Sequence, residues 1–176
     1  MFTAGPDFAY LGEMTIVSYL PSLDSPRLML REMQPEDAAD LASFLVQPRY
    51  QKYVAHRLKD DHEVVAFVRR TVGAQGDFRR RIFHIVAEEN TSSDVIGDGF
   101  IITHQDASHE IGWGVDPALW GLGYGTEIGR ALLALSFEHL KAERVWCKVM
   151  AENRASGRLA RKIGMSLKQT LPDYAV

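Results

Sequence analysis

The spacing of apolar residues changes several times along the chain, and each change predicts a different element. Helical spacing recurs after residues 35–37, before Gly73, after the glycine-rich residues 120–127, and from Asn153 to Gly164. Short alternating or β-branched apolar runs predict strands at residues 27–31, 81–87, 95–103, 110–115 and 145–150. The order predicts a mixed α/β, or α+β, single domain whose first half is antiparallel because its connections are short.

The length and composition fit one globular domain preceded by an extension. The chain has 176 residues, of which 46% are hydrophobic and 24% charged. These are ordinary values for one domain with a core. Because periodic patterning begins only at Arg27, we expect residues 1–25 to be a loosely ordered N-terminal extension and residues 26–176 to form the domain.

Charge and cysteine content exclude several classes of partner and compartment. The formal net charge of −3 provides no basic field for nucleic acid or an anionic membrane. The single cysteine, Cys147, permits no internal disulfide, which fits a reducing compartment. No apolar run approaches the ~18 residues of a membrane span, and the six histidines have no zinc-like spacing. We therefore expect a cytoplasmic protein without a metal, a membrane anchor or a nucleic-acid partner.

The residues Trp120-Gly-Leu-Gly-Tyr-Gly-Thr-Glu127 place three glycines directly before a predicted helix. Four interpretations are open on these residues alone, and the first is a tight turn. The second is a dinucleotide-binding fingerprint, but this chain has Thr126 where that motif needs its third glycine. The third is the phosphate loop of nucleoside triphosphatases, but this chain lacks the Lys-Ser/Thr pair of that motif. The fourth is a pyrophosphate cradle, in which successive amides at the helix N-terminus bind phosphate without a Cβ in the way.

Two further segments flank the glycine-rich one, and the three together carry a family resemblance. Glu110-Ile-Gly-Trp-Gly-Val-Asp-Pro117 precedes it, and Asn153-Arg-Ala-Ser156 with Lys162-Ile-Gly-Met165 follows one strand later. In this order and spacing the blocks resemble the GNAT acetyltransferase superfamily, and within it the ribosomal-protein-serine/alanine N-acetyltransferase-like branch. Pro26-Arg-Leu-Met-Leu-Arg31 also resembles the first strand of that branch, so the resemblance covers residues 26–165.

The resemblance implies a fold and a reaction. The fold would be a single GNAT-like domain with a central, mostly antiparallel twisted sheet that is splayed at the coenzyme A site and flanked by helices. The reaction would be direct transfer of an acetyl group from the cosubstrate acetyl-CoA to a primary amine of a protein N-terminus or a small molecule. The alternative is a catalytically silent acyl-CoA-binding regulatory module.

The resemblance also implies which residues bind acetyl-CoA. The amides of residues 122–126 would hold the pyrophosphate, and residues 113–115 would lie along the pantetheine arm, with Gly114 or Val115 donating an N–H to the thioester oxygen. The implied cofactor-binding residues are Trp113, Gly114, Val115, Leu122, Gly123, Tyr124, Gly125, Thr126, Asn153, Ser156 and Arg158. Asn153 also suits the ordinary role of a helix N-cap.

The implied catalytic residues are Glu110 and Ser156. Glu110, at the mouth of the acetyl site, would take the proton of the amine directly or through water, and its ordinary alternative is a solvated glutamate at a strand end. Ser156 would contact coenzyme A or protonate the leaving thiolate, and otherwise would bond to nearby backbone. Ala160 stands where many superfamily members have a tyrosine acid, so this helix supplies none.

The chain after Gly164 is shorter than the resemblance implies. Members of the branch add two strands here, whereas residues 165–176 leave room for one strand and a stub, with Pro172 interrupting. Because an uncovered sheet edge invites pairing with another chain, a homodimer is a further expectation.

Overall fold

One sheet of eight strands organises the part of the chain that the structure describes. The computed structural model describes residues 1–4, 19–54 and 57–170. The strands are β1 Phe2–Ala4, β2 Leu23–Asp24, β3 Leu28–Glu32, β4 Ile82–Glu89, β5 Val95–Thr103, β6 Ser108–Val115, β7 Arg144–Cys147 and β8 Ser166–Leu167. Their spatial order is β2-β3-β4-β5-β6-β7-β1-β8. Among these described strands the pairing is antiparallel except between β6 and β7, so the expected mostly antiparallel α+β sheet is confirmed.

Helices cover both faces of this sheet. They are α1 Ala38–Leu45, α2 Pro48–Gln51, α3 Asp61–Gly73, α4 Tyr124–Ala134, which continues as a π-helical turn over Leu135–His139, and α5 Arg154–Lys162. The α4 and α5 helices pack on one face, where Ile111 and Leu132 belong to the larger apolar core. The α1 and α3 helices pack on the other face over Val86 and Val95. Within the described ranges, no helix is long and apolar enough to cross a membrane.

Strand β1 departs from the expectation that residues 1–25 form a loose extension. Phe2 pairs with Cys147 on one side and with Leu167 on the other, and it is only 5% exposed. A three-residue strand whose partners lie near the other end of the chain leaves no periodic signal in its own sequence. Residues 5–18 of the expected extension lie outside the described residues.

The position of β1 also bears on the C-terminal edge of the sheet. After α5 the chain contributes the short strand β8, and β1 fills the position between β8 and β7. The amino group of Met1 donates to the carbonyl oxygen of Gln169 at 2.6 Å, and the amide of Lys168 donates to the carbonyl oxygen of Met1 at 2.9 Å. The edge of β7 is therefore covered by the same chain, and a homodimer stays a prediction.

A compensated ion pair sets the path of the chain from β3 into α1. Asp37 is 4% exposed and accepts hydrogen bonds of 2.7–2.9 Å from the amide of Gln34 and from two nitrogens of Arg31. Arg31 also pairs with Glu88 on β4. A buried carboxylate with three donors avoids the cost of an unpaired charge, so this network holds the first connection close to the sheet.

Candidate functional site

The sheet opens between β6 and β7. Their parallel pairing ends at Glu110 and Trp146, although β6 continues to Val115. The alternating pattern predicted that β7 would run to Met150, but it ends at Cys147 because the separated strands share no further ladder bonds. The result is a gap between β6 and the chain after β7, with Glu110 at its closed end.

The backbone of β6 presents alternate residues to this gap. The carbonyl oxygens of Gly112 and Gly114 lie on the β5 side, since they approach the Cβ positions of Gly99 and Gly97 to 3.1 and 2.7 Å. An extended residue directs its N–H and C=O to the same side, and the side alternates along the strand, so Val115 directs its N–H toward the gap. Of the two residues expected to donate to the thioester oxygen, this geometry favours Val115 over Gly114.

The glycine-rich segment forms the N-terminus of α4. Gly123 is the N-cap residue of α4. Its φ of 92° is a left-handed conformation that glycine adopts readily. The amides of Leu122 and Thr126 bond to carbonyls of the same loop at 3.4 and 3.0 Å. The amides of Gly123, Tyr124 and Gly125 have no hydrogen-bond partner in the part of the chain that is described. Three adjacent donors at the positive end of a helix dipole suit a pyrophosphate.

Arg27 joins the start of β3 to this loop, a role that no motif in the sequence indicated. Its guanidinium pairs with Glu127, donates to the carbonyl oxygen of Leu122 at 3.1 Å, and lies 4.0 Å from the ring centroid of Tyr124. Glu127 also accepts a hydrogen bond from the hydroxyl of Ser25 at 2.9 Å. Because the Arg27 side chain is 41% exposed, it adds an accessible positive charge beside the unpaired amides.

The N-terminus of α5 brings the next predicted residues close to α4. A Cβ on Gly125 would lie 2.7 Å from Leu159 of α5, so the two helices are in close contact. Asn153 accepts a hydrogen bond from the amide of Ser156 at 3.1 Å, which confirms it as the N-cap. Ser156 is half-buried and Arg158 is exposed. Their contacts with coenzyme A stay predictions.

The closed end of the gap holds an ion pair. The Glu110 carboxylate is 3.6 Å from the ammonium of Lys148, on the segment that follows β7. His109 points to the opposite face and is 3% exposed, and burial lowers its pKa to about 4. Burial also raises the pKa of the Cys147 thiol to about 12. His109 is therefore neutral and lies on the face of the sheet opposite Glu110, and Cys147 is no nucleophile at neutral pH.

A second carboxylate lies beside the gap on the face away from α4. Tyr50 of α2 donates its hydroxyl hydrogen to Asp98 of β5, and a side chain on Gly114 would collide with both oxygens. Burial raises the pKa of Asp98 to about 6, and burial also raises the pKa of Tyr50. No motif or spacing in the sequence indicated either residue, although an aspartate within the apolar run Val95–Thr103 was an available signal.

Two unlike sets of groups therefore border the gap. Backbone amides and Arg27 stand on the α4 side and suit an anionic ligand, whereas Glu110 and Asp98 are proton acceptors on the other face. Strand alternation places these two carboxylates on the same side, because the register partner of Glu110 is Ile102, four residues from Asp98. Within the described ranges no cluster of His, Cys, Asp and Glu side chains could hold a metal ion.

Comparison with known proteins agrees with this geometry. The family model described as the acetyltransferase (GNAT) domain matches residues 27–166. The uncharacterized N-acetyltransferase p20 of Bacillus licheniformis is 28% identical over 161 residues, which cover 88% of each chain. An acetyltransferase (GNAT family) structure from Bacillus anthracis has a TM-score of 0.73 at 22% identity and covers 83% of this chain and 84% of its own. The ribosomal-protein-S5-alanine acetyltransferase of Vibrio fischeri has a TM-score of 0.69 at 14% identity over 82% of each chain.

Proposed function

The chain belongs to the GNAT acetyltransferase family, and we propose that it transfers an acetyl group from acetyl-CoA directly to a primary amine of a protein N-terminus or a small molecule. Membership confirms the resemblance and makes the chain an acetyltransferase. The finer proposal rests above all on one observation: beside the gap between β6 and β7, the amides of residues 123–125 bond to no other group among the residues that the structure describes. A Cβ on Gly125 would lie 3.6 Å from Val115, so the loop directly adjoins that gap.

The groups around the gap fit acetyl-CoA in charge and in spacing. Pyrophosphate requires several donors within a small region, and the three amides together with Arg27 supply them. The N–H of Val115, on the unpaired side of β6, suits a carbonyl oxygen of the pantetheine arm or of the thioester. The further contacts proposed on the loop, on β6 and on α5 come from Trp113, Gly114, Leu122, Tyr124, Thr126, Asn153, Ser156 and Arg158. When bound, acetyl-CoA supplies the acetyl group as an electrophile.

The proton chemistry is proposed for Glu110 and Ser156. A primary amine, with a pKa of about 8 for a protein N-terminus and about 10 for an alkyl amine, is mostly protonated at neutral pH and must lose a proton before it attacks. Glu110 stands at the closed end of the gap, oriented by Lys148, and would accept this proton directly or through water. The Ser156 hydroxyl would contact coenzyme A or protonate the leaving thiolate.

Membership in a transferase family does not favour the alternative of a catalytically silent regulatory module. A thiol-release assay separates the two. We expect saturating acetyl-CoA to raise the melting temperature by several degrees, and free coenzyme A thiol to appear with at least one member of a panel of primary amines, N-terminal peptides and polyamines. Binding without thiol release on every amine would support the silent module, and absence of binding would contradict the cradle.

A further inference from the structure

Asp98 occupies an unusual place for a charged side chain. It lies in the middle of β5 between Gly97 and Gly99, whose Cβ positions would meet Ile128 and Leu132 of α4. Because side chains alternate along a strand, Asp98 points to the opposite face of the sheet. It therefore faces away from the helix whose N-terminus carries the unpaired amides.

On that opposite face, Asp98 meets Tyr50 over the backbone of β6. The Tyr50 hydroxyl donates to one carboxylate oxygen, and a Cβ on Gly114 would collide with both oxygen atoms of the pair. The carboxylate thus contacts β6 one residue before Val115. A ligand in the gap between β6 and β7 would have the phosphate-binding loop on one face of the sheet and this carboxylate on the other.

We propose that Asp98 is a catalytic residue that accepts a proton from the incoming amine, and that Tyr50 positions its carboxylate. This inference rests on the proposed acetyl transfer. The amine enters from the Asp98 face, because the amides and Arg27 proposed to hold acetyl-CoA lie on the α4 face. Its nitrogen forms the new C–N bond, the C–S bond breaks, and the sulfur leaves with the bonding electron pair. Of the three ammonium protons, Glu110 takes the one lost before attack and passes it to solvent, Asp98 takes the one lost as the C–N bond forms, which in net terms reaches the thiolate, and the third stays in the amide.

The electrostatic surroundings of Asp98 suit this role. Burial, partly offset by the hydrogen bond from Tyr50, raises the pKa of Asp98 to about 6, close to the operating pH at which a general base is most effective. His84 faces the same side from β4, and burial lowers its pKa to about 4, so it is neutral. Asp40 of α1 is bonded to the first amide of β5, and Glu110 of β6 is held by the lysine described above. Tyr50 is the titratable partner that bonds directly to the carboxylate.

Substitution of Asp98 by asparagine separates catalysis from structure. Asp98→Asn keeps the shape and still accepts the hydrogen bond from Tyr50, but it cannot take up a proton. We expect kcat to fall by roughly 100-fold or more, with the melting temperature and the dissociation constant of acetyl-CoA unchanged. The matched control, Asp106→Asn, removes a carboxylate on the loop before β6 that bonds to Ser108, and it should keep wild-type kcat.

The pH dependence of kcat/KM distinguishes a catalytic Asp98 from one that only stabilises the fold, because a purely structural residue would not change this dependence. Asp98 must be unprotonated to accept a proton, so wild-type kcat/KM should rise as pH increases through about 6. This rise should be absent in Asp98→Asn. In Tyr50→Phe the rise should move to higher pH, because the lost hydrogen bond lowers the pKa of Asp98 in the wild type. Wild-type kcat and pH profile in Asp98→Asn would overturn the proposal.

A titration of the carboxyl carbon by ¹³C nuclear magnetic resonance tests the same residue without any acceptor. We expect Asp98 to titrate near pH 6 and its resonance to shift when acetyl-CoA is added. Titration near the ordinary value of 3.8, or no response to acetyl-CoA, would overturn the assignment. If the wild type binds acetyl-CoA but acetylates no amine, the proposed function fails on its own, and this titration still decides whether Asp98 lies at the reacting end of the gap.

Discussion

The two faces of the gap between β6 and β7 are built from different kinds of groups. On the α4 face the donors are backbone amides of consecutive residues 123–125, which one short loop places together. On the other face the groups are side chains of Tyr50, Asp98 and Glu110, which come from α2, β5 and β6. A substitution on one face should therefore leave the other intact, and the effects on acetyl-CoA affinity and on turnover should separate.

The largest expected effect comes from Gly123→Val, which breaks the amide face. A β-branched residue is unfavourable at a φ of 92°. Loss of two charge-assisted hydrogen bonds of ~1.5–3 kcal/mol each should raise the dissociation constant of acetyl-CoA more than about 100-fold. Isothermal titration calorimetry measures this constant, and circular dichroism checks the fold.

The matched control is Gly73→Ala at the end of α3, where a Cβ meets nothing within 4 Å. This variant should bind acetyl-CoA as the wild type does. In Gly123→Val the titration of Asp98 should persist, because the carboxylate face is built independently. A folded Gly123→Val protein with wild-type affinity would show that the amides of this loop do not hold the pyrophosphate.

The second prediction concerns the carboxylate face. Glu110→Gln should lower kcat by at least about tenfold, because a proton acceptor is lost, whereas the dissociation constant of acetyl-CoA should stay unchanged. The measurements are steady-state kinetics across pH and calorimetric binding. An unchanged kcat in Glu110→Gln would remove Glu110 as a base and leave Asp98 alone in that role.

A second variant shows whether the loss arises from Lys148 instead. Glu110→Gln leaves Lys148 without the carboxylate that lies 3.6 Å away. If the double variant with Lys148→Met recovers wild-type turnover, the defect came from the altered contacts of the Lys148 ammonium rather than from a missing base. We expect no such recovery.

The contrast between the faces also explains how far the sequence could predict this molecule. The element order and the glycine-rich cradle are local patterns, so periodicity and one short motif were enough to predict them. Strand β1 was missed because its partners, around Cys147 and Leu167, lie at the far end of the chain. Tyr50 and Asp98 were missed for the same physical reason, since only the folded sheet brings them together over Gly114.

The third prediction concerns Arg27, which connects the start of β3 to the glycine-rich loop before α4. Arg27→Ala should raise the dissociation constant of acetyl-CoA about tenfold, the value of one charge-assisted hydrogen bond, with kcat at saturation unchanged. The effect should shrink at high salt because the Arg27 side chain is exposed. If Arg27→Ala combined with Glu127→Ala binds as tightly as the wild type, the loss came from the freed glutamate rather than from a lost phosphate contact.

The smallest expected effect separates capping from binding at Asn153. Asn153→Ala and Asp60→Ala each remove an N-cap, since Asn153 accepts from the amide of Ser156 at 3.1 Å and Asp60 from that of Glu63 at 3.0 Å. Each should lose ~1 kcal/mol of unfolding free energy in urea titrations. Asp60 caps α3, which lies away from the gap, so its variant should bind acetyl-CoA normally. Asn153→Ala should in addition weaken acetyl-CoA binding about threefold, the value of one modest hydrogen bond. Equal affinities of the two variants for acetyl-CoA would show that Asn153 acts only as a helix N-cap. The acetyl-CoA contacts on the α4 face would then come from backbone amides and Arg27.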